Sequence, residues 1–319
     1  MSRYRMPRSR RTLVLSAFAL AGLATVQATG TSFAATAPLS SPQEVAHFDI
    51  STLQQPENIT LEPNGSADLT FNQARQVARV TTSGAVTILA TLPAPASGTA
   101  GVAGLVRASD GTLYVNYSAG ASSGIYRIPA AGGTPVLVAA LPDAAFLNGL
   151  ALDPSANVLY ATDSTLGKVW KVSLATGTAA IWAQGADFER NATGSSGFGV
   201  NGIKVHGGAV WLSNTDKGTL LRVPINSDGT AGTAVTKATG LSSIDDFSFT
   251  GSGDQVLAAQ NFLNAVSLVN SDGTHTTVLT STDGLENPTS TAVCGSTVYV
   301  ASGAYFTHTD PNLLLATLS

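Results

Sequence analysis

Apolar and polar positions alternate along this chain in short runs of five to seven residues separated by polar turns, which is the period of strands rather than helices. The clearest passage is Phe146-Leu147-Asn148-Gly149-Leu150-Ala151-Leu152-Asp153-Pro154 followed by Asn157-Val158-Leu159-Tyr160-Ala161-Thr162-Asp163. It predicts an apolar strand opened by Asn-Gly, a turn at Asp153-Pro154, and a second strand ending on a polar residue. The phrase recurs. Aligning the apolar-x-apolar triplets places Glu57, Ala103, Asn148, Asn201, Asp245 and Thr289 in one equivalent slot, at intervals of 46, 45, 53, 44 and 44 residues. A repeat of that length made of short strands is the signature of a β-propeller with one four-stranded blade per repeat, so six copies predict an all-β, six-bladed propeller.

The two ends of the pattern are incomplete in complementary ways. The weakly alternating Val45–Ile50 precedes the first repeat and has no blade of its own, while the last repeat offers three strands, ending with Leu313–Leu318. Pairing the N-terminal strand near His47 to Ile50 with that last strand closes the ring and removes two open sheet edges. Gly124–Ile128, Lys168–Val172 and Thr219–Val223 are predicted third strands, each with a basic residue at the same place. The long third interval contains Asp187–Phe198, a Gly/Ser-rich insertion expected to be a mobile loop over one end of the channel.

Composition agrees with a single large core, with 44% hydrophobic and 11% charged residues and 32 glycines. A net charge of −4 with scattered Lys and Arg argues against a nucleic-acid partner. Residues 1–37 differ in kind from the rest. Arg3, Arg5, Arg8, Arg10 and Arg11 precede the apolar run Leu13–Val26, and small residues follow, as in an export signal. Ser9-Arg10-Arg11-Thr12-Leu13-Val14 resembles a twin-arginine signal. The expected organisation is therefore a signal and cleavage region over 1–37 and a propeller over 38–319. The mature protein is expected to be secreted or periplasmic, free of the membrane and monomeric. The single cysteine, Cys294, excludes an internal disulfide and is expected to be a buried small apolar residue.

In a propeller the slot positions converge on the axis, so Glu57, Asn148, Asn201 and Asp245, with Asp246 beside the last, would gather carboxylate and amide oxygens there. Ca²⁺ suits such a set because it takes about 6–8 oxygen ligands in irregular geometry, whereas zinc would want His or Cys. The same residue types also serve as ordinary strand-end hydrogen-bonding groups. The set resembles the calcium ligands of the gluconolactonase/regucalcin superfamily of six-bladed propellers, and its Glu, Asn, Asn, Asp pattern is similar to that of diisopropylfluorophosphatase and the paraoxonases. Asp245-Asp246-Phe247-Ser248-Phe249 resembles a paraoxonase segment whose two leading residues bind the catalytic ion. Ala103 departs from the polar residue that gluconolactonases often have in that slot. The resemblance implies Ca²⁺-dependent hydrolysis of a lactone, ester or phosphoester of small size. Asp245 would be base or nucleophile, and His308 is the one histidine placed to reach the channel mouth. A non-catalytic exported propeller, acting as a binding module with structural or no calcium, is the alternative.

Overall fold

The computed structural model describes residues 38–319, and the expected export segment 1–37 lies outside the described residues. Six four-stranded antiparallel sheets make up the described chain. Each of the first five blades is built from four consecutive strands, running from the axis outward. The six inner strands are Pro56–Leu61, Gly101–Arg107, Leu147–Asp153, Val200–His206, Ile244–Phe249 and Pro288–Cys294. The third strands predicted in blades two to four are present at Gly124–Ile128, Lys168–Ser173 and Thr219–Pro224. The six-bladed, all-β expectation is thus borne out. The only helical elements among the described residues are the 3₁₀ turns Ile50–Thr52 and Ser281–Asp283.

Ring closure is as expected in kind and shifted in place. The closing strand is Leu39–His47, paired antiparallel with Asn312–Leu318 from Leu39 opposite Leu318 to His47 opposite Asn312. Of the stretch expected to pair, His47 ends the strand and only Phe48–Ile50 leaves the sheet. Phe48 N–H donates to Pro311 O, and Asp49 caps the 3₁₀ turn by accepting from Ser51 N–H. Sequence alternation missed the earlier half because Ser40–Glu44 is polar and holds Pro42. An outermost strand tolerates both, since it needs few buried side chains, and a register shift between Ser40 and Gln43 absorbs the missing proline donor.

The apolar residues pack between blades. Ile59, Leu69 and Phe71 of blade one meet Tyr299, Ala301 and Leu313 of blade six, with Phe48 sealing the seam. Phe48 and Phe71 meet edge to face, 4.9 Å between centroids. Cys294 corrects an expectation. It ends the inner strand of blade six and is exposed, because that strand passes from the packed axial region to solvent over its last three residues.

Candidate active site at the ring axis

Every inner strand breaks register with its neighbour at the slot. The shifts fall between Pro56 and Ile59, Val102 and Leu105, Leu147 and Leu150, Val200 and Ile203, Ile244 and Phe247, and Pro288 and Ser290. A bulge turns the slot side chain out of the alternating pattern and leaves backbone groups without ladder partners. Hydroxyls on the second strands supply those partners. Thr70 Oγ1 accepts from Asn58 N–H (3.0 Å) and donates to Ala103 O in the next blade (2.7 Å). Ser213 Oγ accepts from Gly202 N–H (2.7 Å) and donates to Asp245 O (2.5 Å). Thr162 Oγ1 accepts from Gly149 N–H (2.8 Å) and donates to Asn201 O. Asn116 Nδ2 does the equivalent donation to Asn148 O (2.9 Å). Each of the first four blades therefore fixes the slot residue of the following one.

The glycine after the slot residue in blades two to four has a different reason from a hairpin turn. A Cβ at Gly149 would lie 2.5 Å from Asn201 O, and one at Gly104 would lie 2.3 Å from Asn148 O. Backbones meet there, and no side chain fits. Gly149→Ala is expected to cost about 1–3 kcal/mol, through forced separation of two inner strands. A denaturant midpoint equal to wild type would refute that packing.

The six slot residues are all buried, and four of them carry side-chain oxygens suited to a cation. Glu57 Oε2 accepts from the Tyr305 hydroxyl at 2.5 Å. Asp245 Oδ2 accepts from Asn261 Nδ2 at 3.2 Å. Asn201 donates its Nδ2 to Thr215 Oγ1 at 2.9 Å, which leaves its buried Oδ1 without a donor. Asn261 Oδ1 is likewise buried and unpartnered. Burial pushes Glu57 up to about 7, the Tyr305 bond offsetting part of this and the Asp246 charge adding to it. Asp245 is driven well above its ordinary value by burial, then by Glu57 and Asp246, against weaker help from Asn261 and Asn201. The site holds more acceptors than donors and two carboxylates that repel each other. A cation resolves both.

Asp246 is engaged differently from Asp245. Lys204 Nζ sits 2.7 and 2.6 Å from its two oxygens, Asn58 Nδ2 donates to Oδ2 at 2.8 Å, and Ser290 Oγ donates to Oδ2 at 3.1 Å. Its charge is thus balanced by an ammonium within the protein. Lys204 went unnoticed in the sequence, although a lysine two residues after Gly202 on an inner strand faces the channel by simple alternation. His308 is exposed. Its backbone N–H donates to Ala304 O, and the side chain of this loop that reaches the ring is Tyr305, three residues earlier. Tyr305 carried no repeat signal, because its loop belongs to the last blade alone.

The insertion over Asp187–Phe198 is hydrogen-bonded to the turn between the second and third strands of the next blade. The Asp216 carboxylate accepts from Asn191 N–H, Ser195 Oγ, Ser196 N–H and Ser196 Oγ, and Asn214 Nδ2 donates to the carbonyls of Asp187 and Glu189. Phe198 contacts Phe146, two residues before Asn148, with centroids 5.4 Å apart. Away from the axis, a second set of ligand-type groups lies on the closing strand. Glu44, His47 and Asp310 bring one ligand atom each within 4.8 Å of one another. These side chains are partly in solvent, and His47 Nδ1 is already 2.9 Å from Asp310.

Fold and site together define a six-bladed propeller with an oxygen-rich axial site. The sequence matches no family model, and comparison with curated proteins gives no significant match. Solved structures match along nearly the whole ring. Regucalcin, a calcium-binding protein from Agrobacterium tumefaciens, is similar at a TM-score of 0.65 and 17% identity, over 87% of this chain and 93% of that one. A protein classed as a gluconolactonase gives 0.65 and 14%, over 87% and 92%. Virginiamycin B lyase from Staphylococcus aureus gives 0.56 and 16%, over 88% and 99%. The chain shares the propeller fold of these proteins, as the repeat suggested.

Proposed function

We propose that this chain is an exported, calcium-dependent hydrolase of a small lactone, ester or phosphoester. The observation that carries the reading is the buried set Glu57, Asn148, Asn201 and Asp245, drawn from four blades, with acceptors in excess and Asn201 Oδ1 left without a donor. That donor chemistry fits Ca²⁺, a hard cation satisfied by carboxylate and amide oxygens. Glu57, Asn148, Asn201 and Asp245 would hold it, with Asp246 adjoining and balanced by Lys204. When bound, calcium supplies polarisation of the carbonyl or phosphoryl oxygen. Asp245 would accept a proton from water or attack directly, its carboxylate oriented by Asn261 Nδ2. Tyr305 would keep Glu57 in place through its hydroxyl.

The basic and apolar leader supports export, and the acidic balance supports a small-molecule substrate over a nucleic acid. A binding-module reading survives because a shared fold does not fix function. Lactones, aryl esters and phosphotriesters assayed with calcium and with chelator separate the two. Calcium-dependent turnover of one class supports the hydrolase. A calcium-loaded protein that turns over none of them leaves the binding module.

A further inference from the structure

Two exposed phenylalanines stand one residue beyond the two side chains that touch the axial carboxylates. Asn261, the donor to Asp245, is followed by Phe262 and Leu263, and Tyr305, the donor to Glu57, is followed by Phe306. The two rings stack at 4.1 Å between centroids with planes 25° from parallel. Phe262, Leu263 and Phe306 nevertheless remain 50%, 55% and 53% exposed. Three large apolar side chains left in water at one place, beside a buried polar site, mark a surface meant to be covered.

The surface is held in shape by one residue. Asn287 is buried and has a φ of 57°, a conformation asparagine adopts more readily than most residues. Its Oδ1 accepts from Phe306 N–H (2.9 Å), Thr307 N–H (3.0 Å) and Thr307 Oγ1 (3.2 Å). Its own N–H donates to Asn264 Oδ1 at 2.7 Å, and its Nδ2 donates to Asn261 O at 3.4 Å. Asn287 thus joins the turn of blade five that carries Phe262 to the loop of blade six that carries Phe306. A surface built in advance spares a ligand the cost of ordering it.

We propose that Phe262, Leu263 and Phe306 bind an apolar alkyl or aryl arm of the substrate while its carbonyl or phosphoryl end enters the axial ring, and that Asn287 is the positioning residue. The proposal rests on the hydrolase reading of the site and narrows it to apolar-armed lactones or esters. A polyhydroxylated sugar lactone would lose water from its hydroxyls against three side chains that offer no hydrogen bond in return.

The test is a series of lactones with lengthening alkyl arms, with gluconolactone alongside. In the wild type kcat/KM should rise by up to about fourfold per methylene covered, and gluconolactone should be a poor substrate. The double variant Phe262→Ser, Phe306→Ser should flatten that slope. Asn287→Ala should flatten it too, and Asn287→Asp, which keeps the accepting oxygen, should restore it. Loss of fold alone would not give that pattern. Calorimetric affinities for the matching lactams read the same slope without turnover. Affinity that rises with arm length while no lactone is opened would remove the hydrolase reading and keep the apolar surface. A flat slope in wild-type lactam affinity, or one unchanged in the double serine variant, overturns the proposal whatever the activity.

Discussion

Replacing Asp245 by asparagine should abolish most turnover and at the same time stabilise the calcium-free protein. The substitution keeps the shape of the side chain and an oxygen able to accept from Asn261 Nδ2. It removes the charge that burial, Glu57 and Asp246 all oppose. If Asp245 is base or nucleophile, kcat falls by about 10²–10⁴-fold or more, since positioned proton transfer alone contributes that much. Without metal, one of two mutually repelling buried carboxylates has gone, so the chelated variant should melt above the chelated wild type. An active site that is costly to the fold shows this opposition of stability and activity. A side chain that serves only to hold metal would give a different result, with activity returning at excess calcium. A side chain that serves only the fold would lower the melting temperature.

Raising the pH should destabilise the chelated wild type, contrary to the usual behaviour of paired carboxylates. Glu57 in the folded protein holds its proton up to about 7, while in the unfolded chain it releases it near its ordinary 4.5. Above that lower value the folded state binds more protons than the unfolded one, so stability falls as pH rises. The fall begins above the unfolded value, continues through about pH 7, and amounts to roughly 3 kcal/mol for Glu57. Asp245 adds to the same trend, its shift being in the same direction. Calcium should reverse the trend, because it competes with these protons and binds better as they leave. Urea midpoints at pH 5 and pH 8, each with chelator and with calcium, check this. Chelated protein that is more stable at pH 8 than at pH 5 would contradict the burial assigned to Glu57.

Repetition made the ring legible in the sequence. Glu57, Asn148, Asn201 and Asp245 recur in register with apolar triplets, and a period shared by six blades fixes blade number and slot together. What lies outside the repeat was not legible. Tyr305 and Asn287 act from loops, and Lys204 occupies a position where the other inner strands carry varied residues. The hydroxyls of Thr70, Thr162 and Ser213 do repeat, but they read as ordinary strand residues until the bulges show which backbone groups they satisfy. The mobility expected of Asp187–Phe198 came from its glycine and serine content. Asp216, whose carboxylate gathers that segment, lies well beyond it in the chain, past two complete strands. Closure was displaced because an outer strand needs little apolar alternation to be held.

Calorimetric titration of calcium into the protein at pH 8 reads the proposed axial calcium site without recourse to turnover. One binding event per chain is expected, lost in Glu57→Gln and in Asp245→Asn, and kept in a variant such as Glu44→Gln that alters the surface cluster away from the axis. Binding that disappears with Glu44→Gln and persists with Glu57→Gln, or no binding to the wild type at all, would rule out calcium at the ring axis.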